Sequence, residues 1–198
     1  MKTVLARTIP QLFLLAGAVL AQNSDLAILG GVIGPTSGTV SNVIITGSVA
    51  VGIQLNYAAQ LHETAAGQLY LELPWMIAGR LQGTVANDVT ARTTDTNFFT
   101  PGVRWRFTPQ KRVSFYAAAG AGIGSFGTTV SEVGQGVESS STDRTTTVAF
   151  GFGGGIDFRL TRLLSLRAEG RDFLTRSGLG GSSGPNHSFF MVGIGFHF

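Results

Sequence analysis

Phe189-Phe190-Met191-Val192-Gly193-Ile194-Gly195-Phe196-His197-Phe198 alternates without a break. Phe190, Val192, Ile194, Phe196 and Phe198 share one side of an extended chain, and Phe189, Met191, Gly193, Gly195 and His197 share the other. Successive side chains of a strand point to opposite faces, so this run predicts a strand with one strongly apolar face.

The same period recurs towards the N-terminus. Leu164, Leu166, Ala168 and Gly170 oppose Ser165, Arg167, Glu169 and Arg171, while Val148, Phe150, Phe152, Ile156 and Phe158 oppose glycines and Asp157. Val113 to Ile123 sets Phe115 and alanines against Tyr116 and glycines, and Phe99, Val103, Trp105 and Phe107 oppose Thr100, Arg104 and Arg106. Leu69 to Ile77 alternates around Trp75 and Glu72, and Val49 to Tyr57 around Gln54 and Asn56. Asp25–Gly34 alternates poorly and is taken as a strand because a closed sheet needs a partner for the last one. That makes eight. The intervening connections alternate between short (Leu61–Gly67, Thr108–Arg112, Leu160–Leu163) and long, polar ones (Pro35–Gly47, Gly79–Thr96, Phe126–Thr145, Thr175–Asn186). Strict alternation of tight turns and long loops is the habit of transmembrane barrels, and it places both termini in the periplasm.

Composition agrees with export and closure. The 198 residues include 28 glycines and no cysteine, and 13% are charged, about half the usual share. Disulfide scaffolds and thiolate metal sites are excluded. Lys2, Arg7 and the apolar run Ile9–Leu20 form the basic and hydrophobic regions of a signal peptide over residues 1–21, with a barrel domain over 22–198. Removing those two cations lowers the formal charge from +3 to +1, which gives little support to polyanion binding.

Two eight-stranded barrels fit this count: a soluble one with its apolar face inward around a ligand, and a membrane one with that face outward. The polar face is glycine, alanine and a few charges, a poor coat for solvent, and the chain has only Lys2 and Lys111 as lysines. Aromatics on the apolar face gather in two girdles. Tyr57, Trp105, Phe107, Phe115, Phe158, Phe196 and Phe198 fall at the periplasmic end, and Trp75, Phe99, Phe150 and Phe190 at the other. Lipid cannot satisfy an open sheet edge, so the sheet must close. The expected fold is an all-β, eight-stranded antiparallel up-and-down transmembrane β-barrel.

The terminal Phe198, after Gly193-Ile-Gly-Phe-His197, resembles the C-terminal aromatic signature of bacterial outer-membrane barrels. Thr100-Pro-Gly-Val-Arg104, Ala119–Gly124 (AGAGIG) and Arg167–Phe173 (RAEGRDF) resemble runs in small OmpA-like and OmpW-like outer-membrane β-barrel proteins. The resemblance covers most of the mature chain and implies the bacterial outer membrane as its location. It also implies delivery to the barrel-assembly machinery through Phe198 and contact with outer-membrane lipid and lipopolysaccharide. The chain is expected to end at the barrel, without the peptidoglycan-binding domain of OmpA itself.

The inward face carries Glu72, Asp157 and Glu169 against Arg104, Arg106, Arg159, Arg167 and Arg171. Counting from a loop centred near Asn87–Asp88 brings Glu72 opposite Arg104, and counting from Thr161–Arg162 places Asp157 diagonal to Arg167. Glycines at 151, 153 and 155 and at 193 and 195 flank Glu169 and leave room for long side chains. The expectation is a structural Arg–Glu ladder that fills the lumen, the competing reading a gated path for small solutes.

Other motifs carry no chemistry. Gly122-Ile-Gly-Ser-Phe-Gly127 fits a dinucleotide fingerprint but lies in an alternating strand with no helix behind it. His62, His187 and His197 lack metal-ligand spacing, and Asp157 and Glu169 are better matched to arginines than to each other as a catalytic pair. His187 and Ser188 are adjacent, so a strand points them apart, against a lipid-acting hydrolase. Asp172 falls on the outward parity and is expected at the external membrane interface. No basic cluster with interleaved aromatics supports nucleic-acid binding. The expected function is non-enzymatic and cofactor-free: a structural or partner-binding barrel, or alternatively a narrow channel or carrier for small or hydrophobic solutes.

Overall fold

The computed structural model describes residues 23–33, 37–40, 43–46, 50–84, 89–134, 137–175 and 186–198. The signal segment expected over residues 1–21 lies outside them. Eleven extended segments carry the described chain: β1 (Ser24–Ile33), β2 (Ser37–Val40), β3 (Val43–Thr46), β4 (Ala50–Thr64), β5 (Gly67–Thr84), β6 (Val89–Phe99), β7 (Gly102–Phe107), β8 (Val113–Gly134), β9 (Val137–Arg159), β10 (Leu164–Thr175) and β11 (Asn186–His197).

Period two in sequence becomes period two in burial. Along β10 and β11, buried and exposed positions alternate, with Leu166, Val192 and Phe190 facing out and Arg167, Glu169 and Met191 facing in. All pairings are antiparallel: β4 to β5, β5 to β6 and β7, those two to β8, and then β8 to β11 in chain order, while β1 pairs with both β11 and β4, which closes the ring. β6 and β7 are two parts of one barrel strand, and β2 with β3 forms a separate hairpin. The result is an eight-stranded up-and-down barrel. Closure leaves no strand edge for lipid to solvate.

The break between β6 and β7 falls at Thr100-Pro101, where proline has no N–H to give to the ladder. The neighbouring strand accommodates it with glycine. A Cβ on Gly122 would sit 1.9 Å from the carbonyl oxygen of Phe99, and one on Gly120 would sit 2.4 Å from that of Thr100. The glycine run that mimics a nucleotide fingerprint therefore lets two backbones approach.

Three sequence expectations change. Phe126–Thr145 and Gly79–Thr96, expected as loops, are largely strand: β8 and β9 stay in register as far as Gly134 opposite Val137, and β5 and β6 as far as Thr84 opposite Thr90. Their threonines and serines are polar enough to resemble loop, yet the β-branching of threonine and valine favours extended chain. Similarly, Pro35–Gly47 contains the β2–β3 hairpin. Residues 176–185 of the expected fourth loop are outside the described chain. Spanning a bilayer takes about 9–11 residues per strand, so the 22 and 23 residues of β8 and β9 carry that hairpin well beyond the apolar band.

Candidate functional site

The inward positions enclose a lumen with two layers. At the end holding the termini and short turns, Asp25, Glu72, Asp157 and Glu169 meet Arg104, Arg106, Arg167 and Arg171, all buried. Asp25 Oδ2 lies 3.0, 2.7 and 3.1 Å from guanidinium nitrogens of Arg104, Arg106 and Arg167. Asp157 receives Arg167 Nε at 2.6 Å and Arg106 Nη2 at 2.9 Å. Glu72 Oε1 takes Arg104 and Arg171, both at 2.9 Å, and Arg171 Nε continues to Glu169 Oε1 at 2.8 Å. Four carboxylates and four guanidiniums cancel formally. Buried ions persist only when paired and hydrogen-bonded in this way.

Neutral side chains complete the carboxylates' shells. Tyr116 donates its hydroxyl to Glu169 Oε2 at 2.6 Å, Gln54 Nε2 donates to Glu169 Oε1 at 3.0 Å, and Asn56 donates to Glu72. The Tyr116 ring also lies under Arg104 and Arg167, whose guanidinium carbons are 4.9 and 5.2 Å from its centroid. Arg104 Nε, Arg106 Nε, Arg167 Nη1, Gln54 Oε1 and Asn56 Oδ1 are buried without a protein partner. Glycine opposite the long chains makes the space: Gly155 faces Glu169, Gly153 faces Arg171 and Gly193 faces Arg167. A Cβ on Gly155 would stand 2.5 Å from the Tyr116 hydroxyl.

Beyond the ions, towards the hairpin end, the lumen turns apolar. Phe98 and Phe173 stack with centroids 4.3 Å apart and planes 9° from parallel, and Phe126 and Phe189 meet Phe98 edge-on at 5.6 and 5.9 Å. These are favourable aromatic geometries. Leu29, Met76, Met191 and Ala149 pack in the same cluster, and His187 adjoins the Phe98 and Phe126 rings.

Several expected placements shift. Glu72 stands opposite Gly102, while Arg104 stands opposite Tyr70, because the β5 register is centred on residue 87 and not between 87 and 88. A half-residue error in a turn centre displaces the opposite residue by one, and inward parity rounds it to two. The ion pair forms diagonally instead. Asp157 is directly opposite Arg167, not diagonal to it. The glycines at 193 and 195 stand opposite Arg167 and Ser165, and Glu169 has Met191 on that side. Arg159 has the inward parity but sits past the rim, where it donates to the Pro109 carbonyl at 3.2 Å and joins no lumenal ion pair.

The sequence reading missed Asp25 and the phenylalanine layer. Asp25 opens β1, where Ala27 and Leu29 face inward onto that layer, so the strand is apolar on both sides and its alternation is erased. Phe189 already stood at inward parity, and Phe98, Phe126 and Phe173 could have been found by carrying each strand's parity past its last charged residue.

On the outer face, Trp75 pairs across strands with Phe99, and Phe107 with Phe115. Those four and Phe150, Phe158, Phe190, Phe196 and Phe198 are exposed, whereas Tyr57 and Trp105 are half-buried, Tyr57 by its contact with Ser24 Oγ at 3.0 Å. Asp172 faces outward, half-buried, and accepts from Ser188 at 3.3 Å. His187 points into the lumen, away from Ser188. His197 Nε2 lies 2.9 Å from Ser165 Oγ, but Ser165 is fully buried, and Asp25, opposite His197 in register, is occupied by three arginines.

The model of the outer membrane protein beta-barrel domain family matches residues 11–198. Comparison with curated protein sequences finds no match. Solved structures share the fold, among them the following three. Neisserial surface protein A is 12% identical with a TM-score of 0.50, over 89% of this chain and 97% of its own. Ail, the attachment invasion locus protein of Yersinia pestis, solved with the heparin analogue sucrose octasulfate, is 15% identical with a TM-score of 0.51, over 88% and 99%. The outer membrane protease OmpT from Escherichia coli is 9% identical with a TM-score of 0.56, over 90% and 97%. At such identities the likeness is one of fold, and that fold hosts different activities. With its apolar face outward, its sheet closed and nearly its whole length matched, this chain belongs to the outer membrane protein beta-barrel domain family of the bacterial outer membrane.

Proposed function

We propose that the protein is a non-enzymatic outer-membrane barrel with a sealed lumen, structural in role or binding partners through its long hairpins. The observation that carries this reading is the pair of lumenal layers: a charge-neutral ion lattice backed by stacked phenylalanines. An eight-stranded barrel has an interior just wide enough for side chains to fill. Planar-bilayer recording of the refolded barrel tests it. No discrete conductance is expected, and reproducible unitary steps would overturn the sealed lumen.

The competing reading is a narrow channel or carrier for small or hydrophobic solutes. The five unpartnered polar atoms in the ion lattice favour it, since water bridging them would begin an aqueous path. The phenylalanine layer stands against it.

In this reading both termini and the short turns are periplasmic, supported by the contrast between those turns and the extended β8–β9 hairpin at the opposite end. The outer aromatics meet lipid and lipopolysaccharide. β11 presents Phe198, exposed at the seam and joined to Ser24 by paired backbone hydrogen bonds of 2.8 and 3.0 Å, to the barrel-assembly machinery. Neither a cofactor nor nucleic acid is part of it. Because the chain has no cysteine, single introduced cysteines can report sidedness.

A further inference from the structure

Four cations gather where the two turns at the rim adjoin. The turn between β7 and β8 carries Lys111 and Arg112, and the β9–β10 turn follows Arg159 and carries Arg162. β8 and β9 are paired, so the turns lie side by side, held by the Arg159 amide donating to the Arg112 carbonyl at 2.8 Å and by the Arg159 side chain donating to Pro109. Between them is a cleft of roughly 390 Å³ lined by Lys111, Arg112, Arg159 and Arg162 with Gln110 and Thr161. None of the four cations forms an ion pair among the described residues, whereas each lumenal arginine bonds at least one carboxylate. Glu63, the acid near another turn at this end, is engaged by Gln60.

The cleft borders the lipid-facing band. The Arg112 guanidinium carbon is 5.2 Å from the centroid of the outward Phe158 ring, and exposed Phe115, Leu160 and Leu163 flank the turns. With the outward Trp105 these phenylalanines make up the aromatic girdle at this end, and such girdles flank the apolar band at the membrane interface, which sets the unpaired cations at the level of lipid phosphates.

We infer that this cleft seats the phosphate of a net-anionic phospholipid in the leaflet at the turn end. Unpaired surface cations beside an anionic membrane attract it strongly, and the attraction is screened by salt. That this leaflet is the phospholipid-rich periplasmic one rests on the orientation proposed above.

Native mass spectrometry of the full mature barrel, released from detergent with phosphatidylglycerol or phosphatidylcholine, tests the seat. Wild type should retain phosphatidylglycerol preferentially, and Lys111→Gln with Arg162→Gln should lose roughly tenfold of that preference. Both residues are exposed and unpaired, so folding should be kept, as heat-modifiable migration will show. Arg144→Gln, in an exposed pair with Asp95 remote from these turns, should leave the preference unchanged. An unaltered preference in the double variant, or none in wild type, would overturn the seat. Displacement of the lipid by inorganic phosphate at matched ionic strength would also overturn it, in favour of a small-anion site. Thr161→Cys separates the orientation. Labelling by an impermeant thiol reagent only after the outer membrane is opened supports the periplasmic leaflet, whereas labelling of intact cells would overturn the leaflet assignment while the detergent result stands.

Discussion

Arg104, Arg106 and Arg167 reach one carboxylate oxygen of Asp25 from two separate strands, so that single acid ties β1 to the far wall of the barrel. Neutralising it leaves three buried guanidiniums to share Glu72 and Asp157, and stranding a buried charge typically costs about 3–5 kcal/mol. Asp25→Asn should therefore lower the urea midpoint of the refolded barrel far more than Glu63→Ala, an exposed change expected within about 0.5 kcal/mol. Equal midpoints for the two variants would show that the lattice does not stabilise the fold. Tyr116→Phe is the milder companion: it removes a hydrogen bond to a charged carboxylate, worth about 1.5–3 kcal/mol. At this scale the sequence was half legible. Glu72, Arg104, Arg167, Glu169 and Arg171 stand out as charges at inward parity, but Asp25 opens a strand whose inward Ala27 and Leu29 conceal the parity. Arg159 shows the opposite failure, since parity cannot tell an inward position from one just beyond the rim.

A strand is defined by what its neighbour can tolerate, and the β6–β7 break makes this measurable. Gly122 meets the Phe99 carbonyl so closely that even a methyl group requires backbone movement, whereas nothing lies within 4 Å of a Cβ on Gly30. Gly122→Ala should destabilise by more than about 1 kcal/mol and Gly30→Ala by less, read as the temperature at which the heat-modifiable band shifts. Comparable shifts would mean the strands slide freely past Pro101. The β8–β9 hairpin gives a second test at this scale. Excising residues 130–141 and rejoining the strands should preserve folding and migration, because the span needs only about 9–11 residues per strand. The cut has to spare Phe126, which belongs to the lumenal cluster although the sequence placed it at the edge of a loop. Loss of folded migration would make the hairpin part of the barrel's stability. Strand existence and facing were readable from period two, but strand ends were not, since Thr- and Ser-rich segments look alike whether they are loop or extended hairpin.

For the whole molecule, the proposed function has the two lumenal layers acting in series, and a barrier in series stays closed while either member is closed. Closure of the sheet followed from alternation and from the demand of lipid for satisfied backbone, without reference to any particular residue pair. The layering did not, because it depends on which inward side chains share a height, and height is set by register that a one-residue error in a turn displaces. The proposed seal can be dissected on this basis. Phe98→Ala with Phe173→Ala removes the stacked pair at the centre of the apolar layer, and each truncation should cost about 3–5 kcal/mol if the cavity stays open. The ion lattice remains behind it. The double variant should therefore be less stable and still electrically silent in planar bilayers. Steady unitary conductance from it would mean that water and ions already cross the lattice, by way of the unpartnered Arg104 Nε, Arg167 Nη1, Gln54 Oε1 and Asn56 Oδ1 atoms, and that the phenylalanines alone close the barrel.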